Sequence, residues 1–171
     1  QRQMCIRDRL YIGGDVLGQK TFISQKLNSR FLYKEISKNK YAVYSWIQFD
    51  DEVKGYDKAT KTVMNIPGYI DGHKIEVIAK EFTRGCIGVS KVTIPNTVTE
   101  IQRGAFVYTK RIQSISISSS VNKIADDVFS GNNCLKFTVD SNNKYFQAIN
   151  GDLYSKDGKT LVSATLSLIH I

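Results

Sequence analysis

Between Ile78 and Val139 the apolar positions return at a fixed interval. Ile78, Ile101 and Ile124 are 23 residues apart, as are Val89, Ile112 and Leu135, and Val98 and Val121. Pairs with one polar residue between them sit inside this frame: Val92/Ile94, Ile115/Ile117 and, one residue early, Phe137/Val139. Alternation around Thr93, Ser116 and Thr138 has the period of two expected of a strand with one buried face. The other half of each unit, Ile-x-x-x-Ala-Phe in Ile101–Phe106 and Ile-x-x-x-Val-Phe in Ile124–Phe129, spaces its apolar residues four and five apart. That spacing suits one helical or 3₁₀ turn. In the first copy Phe82 takes the place of Ala105.

A unit this short cannot bury its own apolar side. Stacked copies place Ile on Ile and Phe on Phe, giving a continuous core and a parallel strand ladder. Val63, Met64 and Ile66 form the strand that opens the array. Ile66-Pro67 repeats the Ile94-Pro95 pattern, with proline ending a strand where no ladder donor is needed. Upstream, Phe31–Ile36 and Tyr41–Ile47 are aromatic and β-branched and are separated by Ser37–Lys40, which predicts a β-hairpin. Asp50–Glu52 and 54–61 read as loop.

With these residues in view the chain resembles the BspA-like leucine-rich repeats of bacterial and protozoan surface proteins. The resemblance covers 63–162 and rests on Ile66–Ile78, Val92–Val98, Ile101–Phe106 and Asn142–Val162. The last segment is similar to the family's recurring hairpin insert, and Asp157-Gly158 reads as a two-residue hairpin turn. Phe82, and Ser118 where the preceding repeat has Pro95, depart from the pattern. The expected fold is α/β, mainly β: a right-handed leucine-rich-repeat solenoid of ~23-residue repeats preceded by a β-hairpin region. The hairpin region is placed at 10–62 and the solenoid at 63–165, with the insert near 142–162.

The two ends stand apart from this plan. Met4–Arg9 is what ATG TGT ATA AGA GAC AG encodes, and Leu166–Ile171 is what CTG TCT CTT ATA CAC ATC encodes. The two strings are reverse complements and resemble a transposon end used to prepare sequencing libraries. Residues 1–9 and 166–171 are therefore expected to be adapter-derived, and the remainder to be an internal piece of a longer protein. Setting them aside lowers the 24 basic and 16 acidic residues to 21 and 15, and the net charge from +8 to +6.

The chemistry left is sparse. His73 is the one histidine outside the ends, in the polar turn beside Gly72, so a catalytic triad has a single candidate base. Cys86 and Cys134 lie two repeats apart. At ~4.8 Å per strand that separation approaches 10 Å, beyond the ~7 Å limit for a disulfide, and they read as packing thiols. Asp126-Asp127 falls on variable turn positions that face solvent. Asp140-Ser-Asn-Asn143 has calcium-loop composition without the glycine and distal glutamate of such a loop. Gly13-Gly14 is a turn, not a phosphate loop. No cofactor or metal is expected, and no enzyme.

What remains is surface. The outward strand positions Lys91, Thr93, Gln113, Ser114, Ser116, Lys136 and Thr138 form a ribbon of hydroxyls, an amide and two lysines. Such a ribbon is either an extended binding face or a plain solvated one. The basic residues are scattered without aromatic interleaving, which argues against specific nucleic-acid binding, while an acidic glycan suits the charge. No apolar run approaches the ~20 residues of a transmembrane helix. The resemblance implies a secreted or surface-displayed module that binds a host or neighbouring-cell surface or matrix protein. A structural spacer without a ligand is the alternative, and an enzyme a distant third.

Overall fold

The computed structural model describes residues 21–23, 31–46, 62–83, 89–107, 109, 111–132 and 136–164. The cysteine pair, the 50–61 loop, Gly13-Gly14 and both adapter-like ends lie outside the described residues.

Each repeat contributes to two parallel ladders. The first is the sheet β11-β9-β7-β4, made of β4 (Thr62–Asn65), β7 (Val89–Thr93), β9 (Ser114–Ile117) and β11 (Lys136–Val139). Its register follows the sequence period, with Val92 beside Ile115 and Phe137 also beside Ile115. Alternation sends Val92, Ile115, Ile117 and Phe137 into the core, where each is at most 2% exposed.

The second ladder corrects the reading of the Ile-x-x-x-Ala-Phe half. There is no helix of either kind among the described residues. Glu100–Ile101 and Lys123–Ile124 are instead short strands, β8 and β10, which continue in parallel from β6 (His73–Ile78). Ile78, Ile101 and Ile124 thus pair as neighbours, and the Ile78 and Ile101 carbonyls accept from the N–H groups of Gln102 and Ala125 at 2.9 and 3.0 Å. The helical expectation fails for a backbone reason. Three residues after each isoleucine stands a left-handed residue, Glu81 (φ 55°), Gly104 (φ 67°) and Asp127 (φ 55°). One such residue ends a right-handed turn before it can propagate. Among the described residues the class is therefore mainly β, without the α component.

The hairpin expected upstream is present as β2 (Phe31–Ser37) and β3 (Lys40–Trp46), with β1 (Thr21–Ile23) added antiparallel to β2. β3 also lies parallel to β6, with Val43 beside Ile78, and the Val43 carbonyl accepts from the Ala79 N–H at 2.8 Å. The hairpin is thereby continuous with the second ladder. β5 (Tyr69–Ile70) and β6 close a tight hairpin over Asp71-Gly72, both left-handed, as a two-residue turn between right-twisted strands requires.

Beyond β11 the chain forms a separate three-stranded sheet of β12 (Phe146–Ile149), β13 (Asp152–Ser155) and β14 (Leu161–Ser163). Its two-residue turn is Asn150-Gly151, again with both residues left-handed. The turn expected at Asp157-Gly158 belongs to the longer connection 156–160 between β13 and β14.

One core joins the two ladders. Phe82, Phe106, Phe129 and Phe137 form a file with successive ring centroids 5.9, 6.0 and 4.8 Å apart, and Phe31 of the hairpin stacks on Phe82 at 6.2 Å. Phe82 sits in register with Ala105, since the Thr83 N–H donates to the Ala105 carbonyl as the Phe106 N–H does to Val128. Burial of each such ring contributes roughly 1.5–3 kcal/mol.

Candidate functional site

The first ladder presents two side-chain rows to solvent. Cross-strand pairing places Val63, Lys91, Ser114 and Lys136 in one row, and Asn65, Thr93, Ser116 and Thr138 in the next. Of the seven candidate positions, six therefore fall into these rows. Gln113 does not. It precedes β9 and is exposed there, and its backbone ties neighbouring repeats together: its N–H donates to the Ser90 carbonyl and its carbonyl accepts from the Lys136 N–H, both at 2.8 Å. Lys91, Lys136 and Thr138 are exposed, while Thr93, Ser114 and Ser116 are half-buried. Within the hydroxyl row the Thr138 Oγ1 donates to the Ser116 Oγ at 2.9 Å.

The hydroxyl row ends in a shallow concavity of about 340 Å³. Thr93, Ser116 and Thr138 line it along the strands, and Asn96, Ser118 and Asp140 line it beyond the strand ends. Ser118, where the preceding repeat has Pro95, is buried, and its Oγ donates to the Pro95 carbonyl at 2.9 Å. Asn65 and Asn96 carry no sequence signal of their own, while the sequence marks Val63 only as a strand residue and Asp140 only by calcium-loop composition.

Charge is arranged differently on the second ladder. Glu100 Oε1 lies 3.2 Å from Lys123 Nζ, and its Oε2 lies 3.9 Å from Lys40 Nζ. Lys74 and Glu76 pair at 3.4 Å, and Arg103 and Asp127 at 3.0 Å on the adjoining turns. Among the described residues neither Lys91 nor Lys136 has a carboxylate partner.

The other groups singled out in the sequence are structural in this setting. His73 is the first residue of β6, not a loop residue: half-buried, it stacks on Tyr41 at 4.2 Å with the Tyr33 ring 5.9 Å away. The buried Tyr33 donates to Asp71 Oδ2 at 2.9 Å, and burial followed by that hydrogen bond pushes its phenol up to about 12. Asp126 and Asp127 are exposed, as expected. Asn143 is 1% exposed and fully engaged. Its Nδ2 donates to the Ser118 and Val121 carbonyls at 2.8 and 2.9 Å, and its Oδ1 accepts from the Tyr145 and Phe146 N–H groups at 2.8 Å. That leaves it no capacity to act in a calcium loop. Asn132 is likewise buried, bonded to the Phe129 carbonyl and to Thr109 at 3.0 Å. In the exposed 156–160 connection, the Ser155 hydroxyl and then the Lys159 N–H hold the Asp157 carboxyl below its ordinary range. Among the described residues no three histidine, cysteine or acidic side chains gather as a metal site, and no helix is long and apolar enough to cross a membrane.

No curated protein sequence matches the chain significantly. It is similar to the solved structure of the pneumococcal vaccine antigen PcpA, at 15% identity over 84% of this chain and 56% of that one, with a TM-score of 0.34. A leucine-rich repeat protein of Eubacterium ventriosum is 18% identical over 86% of this chain and 51% of its own, with a TM-score of 0.31. A leucine rich cell surface protein of Faecalibacterium prausnitzii is 11% identical over 85% and 62%, with a TM-score of 0.42. The chain thus spans 51% to 62% of the length of these proteins. The model of the BspA type leucine-rich repeat region matches residues 65–156 as six copies. Those residues take in β5 to β13, and with them the parallel strands β7, β9 and β11 of the first ladder and β6, β8 and β10 of the second; the chain belongs to the BspA-type leucine-rich repeat family.

Proposed function

We propose that the chain is a non-catalytic recognition module of a secreted or surface-displayed protein, and that it binds a host or neighbouring-cell surface or matrix protein through the exposed face of its first ladder. In this reading the repeats coil as a right-handed solenoid and the β2–β3 hairpin caps its first turn. The observation that carries the reading is the pair of rows Lys91–Ser114–Lys136 and Thr93–Ser116–Thr138, held in register by parallel pairing on an open face. Such a face costs little to preorganise, because the ladder already fixes the backbone beneath every side chain. Membership of the BspA-type family, whose resemblance implies a secreted or surface-displayed protein, supports the placement outside the cell.

The experiment is binding of the full chain to a panel of matrix proteins, mucins and acidic glycans at low and high salt. Saturable binding to one protein that survives salt, and weakens when Lys91 and Lys136 become alanine, is the expected result. Binding that vanishes with salt reduces the interaction to net charge finding anions. No binding to any of them favours the spacer reading.

A further inference from the structure

We propose that the partner meets this face through an acidic segment in polyproline II conformation, its carboxylates three residues apart and seated on Lys91 and Lys136. The inference rests on the recognition-face reading and adds the chemistry of the occupant.

Charge complementarity argues for acid. Both lysines are exposed and have no carboxylate partner among the described residues, whereas Lys40, Lys74, Lys123 and Arg103 each have one. The face keeps its own carboxylate, Asp140, beyond the strand ends at the rim of the concavity, away from the lysine row. An acidic segment is therefore drawn to the lysine row and repelled from the rim.

Geometry argues for the conformation. Lys91 and Lys136 both pair with Ser114 from opposite sides, so they stand two strand steps apart, ~9.6 Å. A polyproline II helix turns once in three residues with a rise of ~3.1 Å each, so side chains three apart share a face at ~9.3 Å. An extended β segment repeats a face every two residues, at ~6.7 Å and then ~13 Å, and matches neither. Polyproline II also leaves its own carbonyls without internal partners. The neighbouring row has donors to meet them: Thr93, the Asn65 amide, and the Ser116 hydroxyl, which accepts from Thr138 and keeps its proton to give. The lysine stems are flexible, so the pitch is expected to matter by a few-fold and the charge by more.

The test is fluorescence anisotropy of the full chain with labelled proline-rich peptides at low salt, run beside the protein panel. A peptide with glutamates at i and i+3 is expected to bind saturably. It should bind about fivefold or more weakly to Lys91→Ala/Lys136→Ala, and within about twofold of the parent to Lys74→Ala/Lys123→Ala, in line with two exposed ion pairs. Moving the glutamates to i and i+2 should weaken binding a few-fold, and glutamine in their place should abolish it. Absence of peptide binding, equal losses in both lysine pairs, or indifference to spacing overturns the proposal. So does a sulfated glycan that binds the lysine row while the peptides do not. If a panel protein depends on Lys91 and Lys136 but the acidic peptide cannot displace it, the occupant chemistry fails and the recognition face stands. If panel binding ignores both lysines, the face itself falls.

Discussion

The sheet β4-β7-β9-β11 and the ladder through β6, β8 and β10 are cut from the same repeats, yet they treat charge in opposite ways. On the second ladder the lysines find carboxylates within the chain: Glu100 lies between Lys123 and Lys40, and Lys74 faces Glu76. On the first ladder two lysines flank Ser114, the hydroxyls line up beside them, and the lysines' charges are left to the solvent. A repeat that has already satisfied its polar groups has little left to offer a partner. One that holds lysines and hydroxyls in fixed rows with donors still to give is preorganised to bind. The core beneath is shared, so the difference lies in outward residues that folding does not constrain.

The largest expected effect removes the comparison altogether. Phe106 packs between Phe82 and Phe129 in the file that joins both ladders. Phe106→Ala should cost about 3–5 kcal/mol in denaturant unfolding, and amide exchange should speed up on both faces together. If only one ladder loosens, the two are not a single core. Asn143→Ala should separate them. It strands the Ser118 and Val121 carbonyls and the Tyr145 and Phe146 N–H groups, at a cost of about 1–3 kcal/mol. Exchange should rise in β11 and in the sheet of β12 to β14, while β6, β8 and β10 keep their protection.

Smaller effects sharpen the contrast. Glu100→Gln removes the carboxylate shared by Lys123 and Lys40. Because these are surface pairs it should cost no more than about 1 kcal/mol in urea unfolding and leave partner binding unchanged. At the hairpin, the Tyr33 phenol is raised from 10.0 to about 12, so the folded state holds that proton more tightly than the unfolded chain. Its contribution is complete below pH 10 and lost as pH rises through about 12. Alkaline absorbance titration should show a late-ionising tyrosine that disappears in Tyr33→Phe.

The sequence period carries the first ladder and the core almost whole, because Val92, Ile115 and the Phe106–Phe129 pair must be apolar in every copy. It carries the second ladder poorly. Two-residue strands such as Glu100–Ile101 give no alternation to read, and apolar residues four or five apart imitate a helical turn. The contrary signal lay in residues that were not apolar: Glu81, Gly104 and Asp127 recur at the repeat interval, and each is left-handed. Thr109 and Asn132 recur at the same interval and are hydrogen-bonded to each other, a polar rung that a search for hydrophobic period passes over. Six of the seven candidate positions follow from alternation alone. Val63 and Asn65 escape because β4 pairs with β7 at a spacing longer than the repeat, Met64 beside Val92.

The most direct measurement is a paired comparison of binding to the panel protein that the full chain captures. Two lysines are removed from one ladder or the other: Lys91→Ala/Lys136→Ala against Lys74→Ala/Lys123→Ala. If the first ladder is the recognition face, the first pair loses about tenfold, ~1.4 kcal/mol, and the second less than about twofold. Equal losses from the two, or a larger one from the second, would contradict it.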